Sequence, residues 1–563
     1  MKAQDRAAIA RGVPSITLME RAAQVVFEEV AQRYPPSSQQ TPTHIVVLCG
    51  PGNNGGDGLA LAGLLREHPG YSVKVIATRA QKVTDEWRVM AAKLPEILVY
   101  PGRSLALGEL AVASSVENAT NISYKIISQQ ELEDLLKDSD LIIDALLGIG
   151  QVTPPRGVVE ELLTIYNTLF NQSSGIQPPE KKPPVLALDI PTGVCSDTGA
   201  LYPSHIGADC TVAIELPKRG MLTFPGREAA GAIVVKPIGI CPPASHRPND
   251  LPSSASTPEI EFSLFTSEEA QSSLIRNGYP LAATAHKGTR GRVLIVGGSL
   301  RMPGAPALSA LGALRGGAGV VSVAGAPHWG TFSYLPPEIM RVPVTGHTSD
   351  TFTERDIEEI ASALNGISCI VLGPGLGEFD TKKPEASQPV AAFTEKIFRL
   401  CVDKNIPTVV DASALRYIPL SSYPNVGAQI IVTPHPGEAA GMLATTSGQI
   451  QRDRFSAVRA LYEKTRCVTL LKGAGTLTYY EGRGTLIGSG TPFLATAGSG
   501  DVLSGLLAAL LARGISACEA APLGAYLHGK AGEIAEASRG NFVASDLPAE
   551  FAKLLATLPK QGC

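Results

Sequence analysis

Short runs of β-branched and aliphatic residues recur along the chain, each closing on a glycine-rich or polar turn and then passing into a stretch with helical spacing. HIVVLCG (44–50), YSVKVIAT (71–78), LIIDALL (141–147), VLALDIP (185–191) and CTVAIEL (210–216) occupy the first half; RVLIVGG (292–298), GVVSVAG (319–325), CIVLGPG (369–375), TVVDASA (408–414), QIIVTPH (429–435) and CVTLLKG (467–473) occupy the second. Most are apolar at consecutive positions, which fits strands buried on both faces, and a repeated strand–turn–helix unit builds a parallel sheet covered by helices. The pattern restricts the chain to an α/β architecture. A charged fraction of 18%, against about 25% in ordinary soluble proteins, and 57 glycines suit such buried strands and tight turns.

A chain of 563 residues exceeds what one hydrophobic core organises, since cores stop growing near roughly 250–300 residues. The stretch CPPASHRPNDLPSSAST (241–257) is rich in Pro and Ser, and is read as a linker between a domain over 1–240 and a second over 258–563. Each domain is expected to be a three-layer α/β/α with a mostly parallel sheet, the first of them Rossmann-like. No apolar run approaches the ~20 residues that span a bilayer. The first twenty residues carry charges throughout and lack the apolar core of a secretory signal, so a cytoplasmic location is expected, with no membrane partner. Nine cysteines with no CxxC pair are expected to be reduced thiols. With 48 basic and 52 acidic residues, a net of -4, there is no cationic field to draw nucleic acid, and small molecules are the expected partners. Oligomeric state is left open, a homo-oligomer included.

In an open parallel sheet, ligands bind outside the carboxyl ends of the strands. Three polar strand ends stand out in the first half. Gly50-Pro51-Gly52-Asn53-Asn54-Gly55-Gly56-Asp57-Gly58 follows the first strand and opens a helical stretch, where glycines permit tight turns and free N–H groups can hold an anion. It contains GxGxxG at 50, 52 and 55, so an ordinary dinucleotide-binding domain is one reading. That fingerprint expects an acid about 20 residues on, whereas the second strand ends in Thr78, and Asn53, Asn54 and Asp57 add more polarity than phosphate binding needs. Asp144 interrupts an apolar strand before the Gly148-Ile149-Gly150 loop, and a buried carboxylate there must be paired or bind a cation. Asp189 ends a third strand and is followed by Thr192 and Gly193.

PSITLMERAA (14–23), GPGNNGGDGLALA, DALLGIG and ALDIPTGVCSDTG, in this order, resemble the NAD(P)H-hydrate epimerase domain over about residues 1–240. The resemblance implies that Asn53, Asn54, Gly55, Gly56, Asp57, the loop Gly148, Ile149, Gly150, Gln151, Val152, Thr153 and Pro154, and Asp189 contact hydrated cofactor. It also implies that Asn54, Asp144 and Thr192 ligate a potassium ion, Thr192 standing where many members carry Ser. A hard, weakly polarising cation takes several oxygen ligands of this kind. Asp189 is the candidate acid/base, because epimerisation needs proton movement near the ring hydroxyl. Lys218, just past the next strand, is a candidate assistant.

In the second half the informative segment is TPFLATAGSGDVLSG (491–505), followed by the apolar run LLAALLARG. Its Ala-Gly-Ser-Gly turn aims N–H groups at the positive end of a helix, as an anion hole for a moving phosphoryl group does, and Asp501 is placed to take a proton from an attacking hydroxyl. Lys472-Gly473-Ala474-Gly475-Thr476 ends one strand with a cation, pliable backbone and a hydroxyl. His435 and Glu438 in TPHPGE lie at another strand end. No segment matches GxxxxGK[ST], which excludes a P-loop NTPase.

These segments, with HKGTRGRVLIVGGS (286–299), GAPALSALGALRGGAGVVSVA (304–324) and VLGPGLG, resemble the ribokinase-like superfamily and, more narrowly, the ADP/ATP-dependent NAD(P)H-hydrate dehydratases over about 260–563. By that resemblance Ala305, Gly375, His435 and Asp501 touch hydrated cofactor, while Lys472, Gly473, Ala474, Gly475, Thr476 and Gly500 touch the adenine nucleotide, ADP or ATP, with Mg2+ beside it. Ser413 departs from the second Asp that the family usually shows, although Asp411 remains. The implied sequence is phosphorylation of the ring hydroxyl followed by elimination. Alternatives are a sugar or hydroxymethylpyrimidine kinase fused to a Rossmann-like binding module, and a first domain that binds without catalysing.

Overall fold

The computed structural model describes residues 8–10, 12–36, 41–78, 83–102, 122–151, 153–170, 182–240, 261–279, 281–345, 349–377 and 388–556. The chain divides into two compact units, 1–255 and 256–563. The stretch 241–257 read as a linker lies outside the described residues, as does Val152. Among the described residues no helix is long and apolar enough to cross a membrane.

The first unit holds an eight-stranded, all-parallel sheet: β1 (Thr43–Cys49), β2 (Tyr71–Thr78), β3 (Ile97–Tyr100), β4 (Tyr124–Ile126), β5 (Leu141–Ala145), β6 (Val185–Leu188), β7 (Cys210–Ile214) and β8 (Ala232–Lys236), in the order β4-β3-β2-β1-β5-β6-β7-β8. Successive side chains alternate between two cores. Ile45, Val47 and Cys49 pack with the helices Ser15–Arg33 and Asn53–Glu67, whereas Val46 and Leu48 pack with Val158–Phe170 on the opposite face. Both faces are therefore covered, which is why these strands read as unbroken apolar runs. The chain winds outward from β1 to β4 and returns to place β5 beside β1, so the topological switch lies between them, where a ligand crevice forms.

The second unit carries a ten-stranded sheet: β9 (Phe262–Phe265), β10 (Arg292–Val296), β11 (Val320–Gly325), β12 (Met340–Pro343), β13 (Cys369–Leu372), β14 (Thr408–Val410), β15 (Ile430–Val432), β16 (Val468–Leu471), β17 (Leu477–Tyr480) and β18 (Arg483–Ile487). The order is β12-β11-β10-β13-β14-β15-β16-β17-β18-β9, parallel except for the β16–β17–β18 meander. One face is covered by Ala305–Arg315 and Ser499–Ala512, and the other by Gln388–Asp403, whose Phe393 stacks on Phe352 at 4.7 Å. Ser499–Ala512 is buried at every position from Val502 to Ala512, being wedged between sheet and outer helices. It meets Ala305–Arg315 backbone to backbone: a methyl at Gly505 would lie 1.8 Å from the Ser309 carbonyl oxygen, and one at Gly312 2.3 Å from that of Val502.

The marked apolar runs all become interior strands of the two sheets, none of them an edge. Strands β3, β4, β8, β9, β12, β17 and β18 go unmarked in the sequence; six of the seven lie at or next to a sheet edge, and β4, β8, β9 and β12 expose side chains that a doubly covered strand would bury.

Candidate functional site

In the first unit, three strand ends converge beside the β1–β5 switch. The chain leaves β1 through Gly50 and enters the helix Asn53–Glu67 after Gly52. A methyl at Gly50 would lie 1.7 Å from the Leu146 carbonyl oxygen, so the two loops cross at a distance only glycine allows. Trp87 donates its indole N–H to the Gly50 carbonyl at 3.0 Å and fixes the turn. The Asn54 amide is buried with its Nδ2 unpartnered among the described residues, and its side chain lies against Gly148.

Asp144 is fully buried at the end of β5. Its carboxylate accepts from the Leu146 N–H at 3.1 Å, the Thr192 N–H at 2.7 Å and the Thr192 hydroxyl at 2.7 Å, and that hydroxyl accepts from the Leu147 N–H at 3.0 Å. No cationic side chain pairs with Asp144 among the described residues. Burial raises its pKa to about 6, against the hydrogen bonds from Thr192 and Leu146 that favour the ionised form. A buried carboxylate held only by neutral donors, beside an amide and a hydroxyl, forms an oxygen-donor set short of one positive charge. Gln151 accepts from the Gly193 N–H at 3.0 Å while its Nε2 is buried and has no partner among the described residues.

Asp189 follows β6 with φ +67°, left-handed backbone that a non-glycine residue holds only where its surroundings impose it. One carboxylate oxygen accepts from the Ile214 N–H at 3.3 Å and from the buried Lys218 ammonium, which also donates to the Ile214 carbonyl at 3.1 Å. The other oxygen makes no hydrogen bond among the described residues. Lys218, expected only as an assistant, is thus the direct partner of Asp189.

In the second unit, β14, β15, β16 and the helix Ser499–Ala512 deliver four charged groups to one place. Lys472, at the end of β16, pairs with Asp411, at the end of β14, at 2.8 Å. Asp411 also accepts from the Ser504 hydroxyl, and Ser504 bonds the Gly500 carbonyl at 3.0 Å. A methyl at Gly500 would lie 3.2 Å from the Lys472 Nζ, so the lysine stands directly beneath the helix N-terminus. Burial opposes the ionised forms of Asp411 and Lys472, yet their mutual attraction prevails: the Asp411 pKa is lowered and that of Lys472 raised.

Asp501 has no such relief. Burial first, then the charges of Asp411 and Glu438, push its pKa up to about 7 against the opposing pull of Lys472. Its carboxylate makes no hydrogen bond among the described residues. Glu438 is likewise raised, by burial and by Asp411 against the pull of Lys472. The turn before the helix passes through Gly498 at φ +88°, and the Ser499 carbonyl is held at 3.0 Å by His528 Nε2, whose own pKa burial drops to about 4. His435 caps the helix Pro436–Leu443: its Nδ1 accepts from the Gly437 and Glu438 N–H groups at 3.0 and 3.3 Å, and its Nε2 lies 3.5 Å from a Glu438 carboxylate oxygen. Ala305 and Gly375 are neighbours, since a methyl at Gly375 would lie 3.1 Å from the Ala305 Cβ.

A family model described as NAD(P)H-hydrate dehydratase matches residues 293–554, and one described as YjeF-related protein N-terminus matches 15–220. The bifunctional NAD(P)H-hydrate repair enzyme Nnr of Moorella thermoacetica is 32% identical over 95% of this chain and 91% of its own length. That of Thermanaerovibrio acidaminovorans is 34% identical over 94% and 91%. The chain belongs to the bifunctional NAD(P)H-hydrate repair enzymes. A crystal structure of the ADP/ATP-dependent NAD(P)H-hydrate dehydratase from Bacillus subtilis, co-crystallized with ATP/Mg2+, is similar at 25% identity, covering 53% of this chain and 98% of that one with a TM-score of 0.42.

Membership of the repair enzymes decides against the sugar-kinase and binding-module alternatives. Of the sequence-predicted residues, the structure joins Asp144 to Thr192 and sets Asn54 against Gly148. It places Lys472 beside Gly500 and Asp501, and Ala305 beside Gly375. It shows no direct contact of His435 or Thr476 with Asp501. Asn53, Gly150, Thr153 and Pro154 are exposed on the rim, and Asp57 and Ile149 are half-buried. Ser413, where the family's second Asp was expected, bonds the Gly377 carbonyl and has no contact with the carboxylate cluster. Sequence reasoning missed Ser504 and His528. Ser504 lies one helical turn after Asp501 and was accessible by spacing; His528 sits in a helical stretch where a polar residue reads as a solvated face.

Proposed function

We propose that a first domain, residues 1–240, interconverts the R and S forms of hydrated NADH and NADPH, and that a second, residues 258–563, dehydrates the S form at the expense of ADP or ATP. The observation that carries this reading is Asp501: a partly accessible carboxylate with no hydrogen-bond partner among the described residues, in the first turn of a helix, poised near neutral pH by burial and by two neighbouring acids. Such a group takes a proton from the ring hydroxyl at working pH. The hydroxyl oxygen then bonds the terminal phosphorus as the bond to the leaving nucleotide breaks, with the Gly498–Gly500 turn and the Lys472 ammonium facing the charge that develops. Loss of the phosphate, with its C–O bond, and of a proton from the adjacent carbon restores the dihydronicotinamide.

In the first unit Lys218 fixes one oxygen of Asp189, and the unbonded one gives and takes the proton of the ring hydroxyl. Asn54, Asp144 and Thr192 would hold potassium, which supplies the missing positive charge beneath the substrate loop. Three carboxylates facing one ammonium leave the second site net negative, which fits Mg2+ arriving with the nucleotide, and Glu438 is the residue that would hold it together with the phosphates. Among the described residues no group of three or more His, Cys, Asp or Glu side chains is arranged to hold a metal; phosphate and water would supply the other ligands. A cytoplasmic location accords with these substrates.

The test uses a mixture of both hydrate epimers with ADP or ATP, following recovery of dihydronicotinamide absorbance. Wild type should recover the whole pool, Asp189→Asn only the S share, and Asp501→Asn none. Full recovery by Asp501→Asn refutes the assignment.

A further inference from the structure

Arg454 is 2% exposed at the start of the helix Arg454–Thr465, yet no carboxylate pairs with it among the described residues. Its guanidinium donates instead to backbone carbonyls: Nη2 to Leu471 at 3.1 Å, Lys472 at 3.2 Å and Gly475 at 3.3 Å, while Nη1 reaches the Gln451 Oε1 at 2.6 Å and Nε is unpartnered. The first carbonyl ends β16, and the other two belong to the turn Lys472–Thr476. Gly473 lies over the guanidinium at φ +136°, and a methyl there would stand 2.9 Å from Nη1. A planar trans peptide points its C=O and N–H in opposite directions. Drawing the Lys472 and Gly475 carbonyls inward therefore turns the N–H groups of Gly473 and Thr476 outward, which makes an anion-binding concavity.

We propose that Arg454 is the positioning residue of the nucleotide site: it clamps both ends of the Lys472–Thr476 turn from behind, so that its N–H groups face the phosphates, and leaves an uncancelled positive charge beneath them. A buried cation that only carbonyls solvate is costly to a fold, and an anion on the far side of the turn offsets that cost. The clamp rests on the reading of this turn as the nucleotide site. It predicts a selective defect, with nucleotide handling failing while the base Asp501 and the acceptor pocket stay intact.

The experiment compares wild type, Arg454→Met, Arg454→Lys and Gln451→Ala as full-length proteins, measuring ADP- and ATP-dependent dehydration and direct ADP binding by calorimetry. Arg454→Met should raise the nucleotide KM and weaken ADP binding by about tenfold or more, the scale of a lost charge-assisted hydrogen bond, with kcat at saturating nucleotide within about threefold. Arg454→Lys keeps the charge without the fork and should fall between, and exposed Gln451→Ala, which leaves the guanidinium in place, should show a small shift of the same sign. If Arg454→Met does not fold, Arg454→Lys carries the test. Wild-type nucleotide KM in either Arg454 variant, or losses confined to thermal stability and kcat, overturns the clamp. Wild-type protein that neither binds ADP nor dehydrates the hydrate overturns the underlying reading instead.

Discussion

Asp501 should make the dehydratase unit less stable in the pH range where it works. Its pKa rises from 3.8 to about 7 on folding, first through burial and then through the Asp411 and Glu438 charges. A raised folded pKa means that the folded state binds more protons between these values. Stability from this group is therefore complete below about pH 4 and is lost progressively as pH rises to about 7, with no further change above. A shift of about 3 units corresponds to about 4 kcal/mol at roughly 1.36 kcal/mol per unit, an upper bound because Asp501 keeps some solvent contact. Asp501→Asn removes the charge with little change in shape. Urea unfolding followed through Trp329 in a Trp87→Phe background isolates the second unit's transition, which matters because two units need not unfold as one. The Asn variant should be the more stable by up to about 4 kcal/mol at pH 8 and by less than about 2 kcal/mol at pH 5. Wild-type kcat/KM should fall about tenfold per unit below pH 7 as the base is protonated. An equal stability gap at both pH values refutes the argument.

Four further outcomes follow from local contacts in the two units. Asp189→Asn leaves the Lys218 ammonium buried and unpaired, so the first unit should lose about 3–5 kcal/mol as well as epimerisation, and adding Lys218→Met should restore stability but not turnover; calorimetry and epimer interconversion measure the two separately. Asp144→Asn and Thr192→Val should abolish any advantage of KCl over NaCl in epimerase rate and in the melting temperature of the first unit, whereas Thr192→Ser should retain it. Gly505→Ala places a methyl 1.8 Å from the Ser309 carbonyl oxygen, where neither backbone can yield, and should cost about 1–3 kcal/mol. Gly63→Ala, in a helix with no atom within 4 Å of the added methyl, should instead stabilise by roughly 0.5–1 kcal/mol.

The fold was legible where burial on both faces wrote itself into consecutive residues. VVLC, LIID and VLIV identify central strands because no position in them meets water, and the glycine turns that follow mark crossings such as Gly50 over Leu146, where no side chain fits. Edge strands escape the same logic: Met340–Pro343 and Ala232–Lys236 expose side chains, so their apolarity is diluted. The candidate site divides along a similar line. Groups that belong to a strand end or a helix start, such as Asp144, Asp189, Lys472 and Asp501, announce themselves because a charge abruptly ends an apolar run. Partners that approach from elsewhere do not. Arg454 looks like any surface arginine of an amphipathic helix, and His528 lies in a long helical stretch. Their roles arise only when packing brings them under the Lys472–Thr476 turn and against the Ser499 carbonyl. Ionisation follows from the same distinction. Asp411 and Asp501 are both strand-end or helix-start acids in the sequence, yet one gains the Lys472 ammonium at 2.8 Å and the other is left facing two carboxylates. One lysine shared among three acids decides which carboxyl is held low and which is pushed up, and that allocation depends on distances between segments 27 to 90 residues apart in the chain.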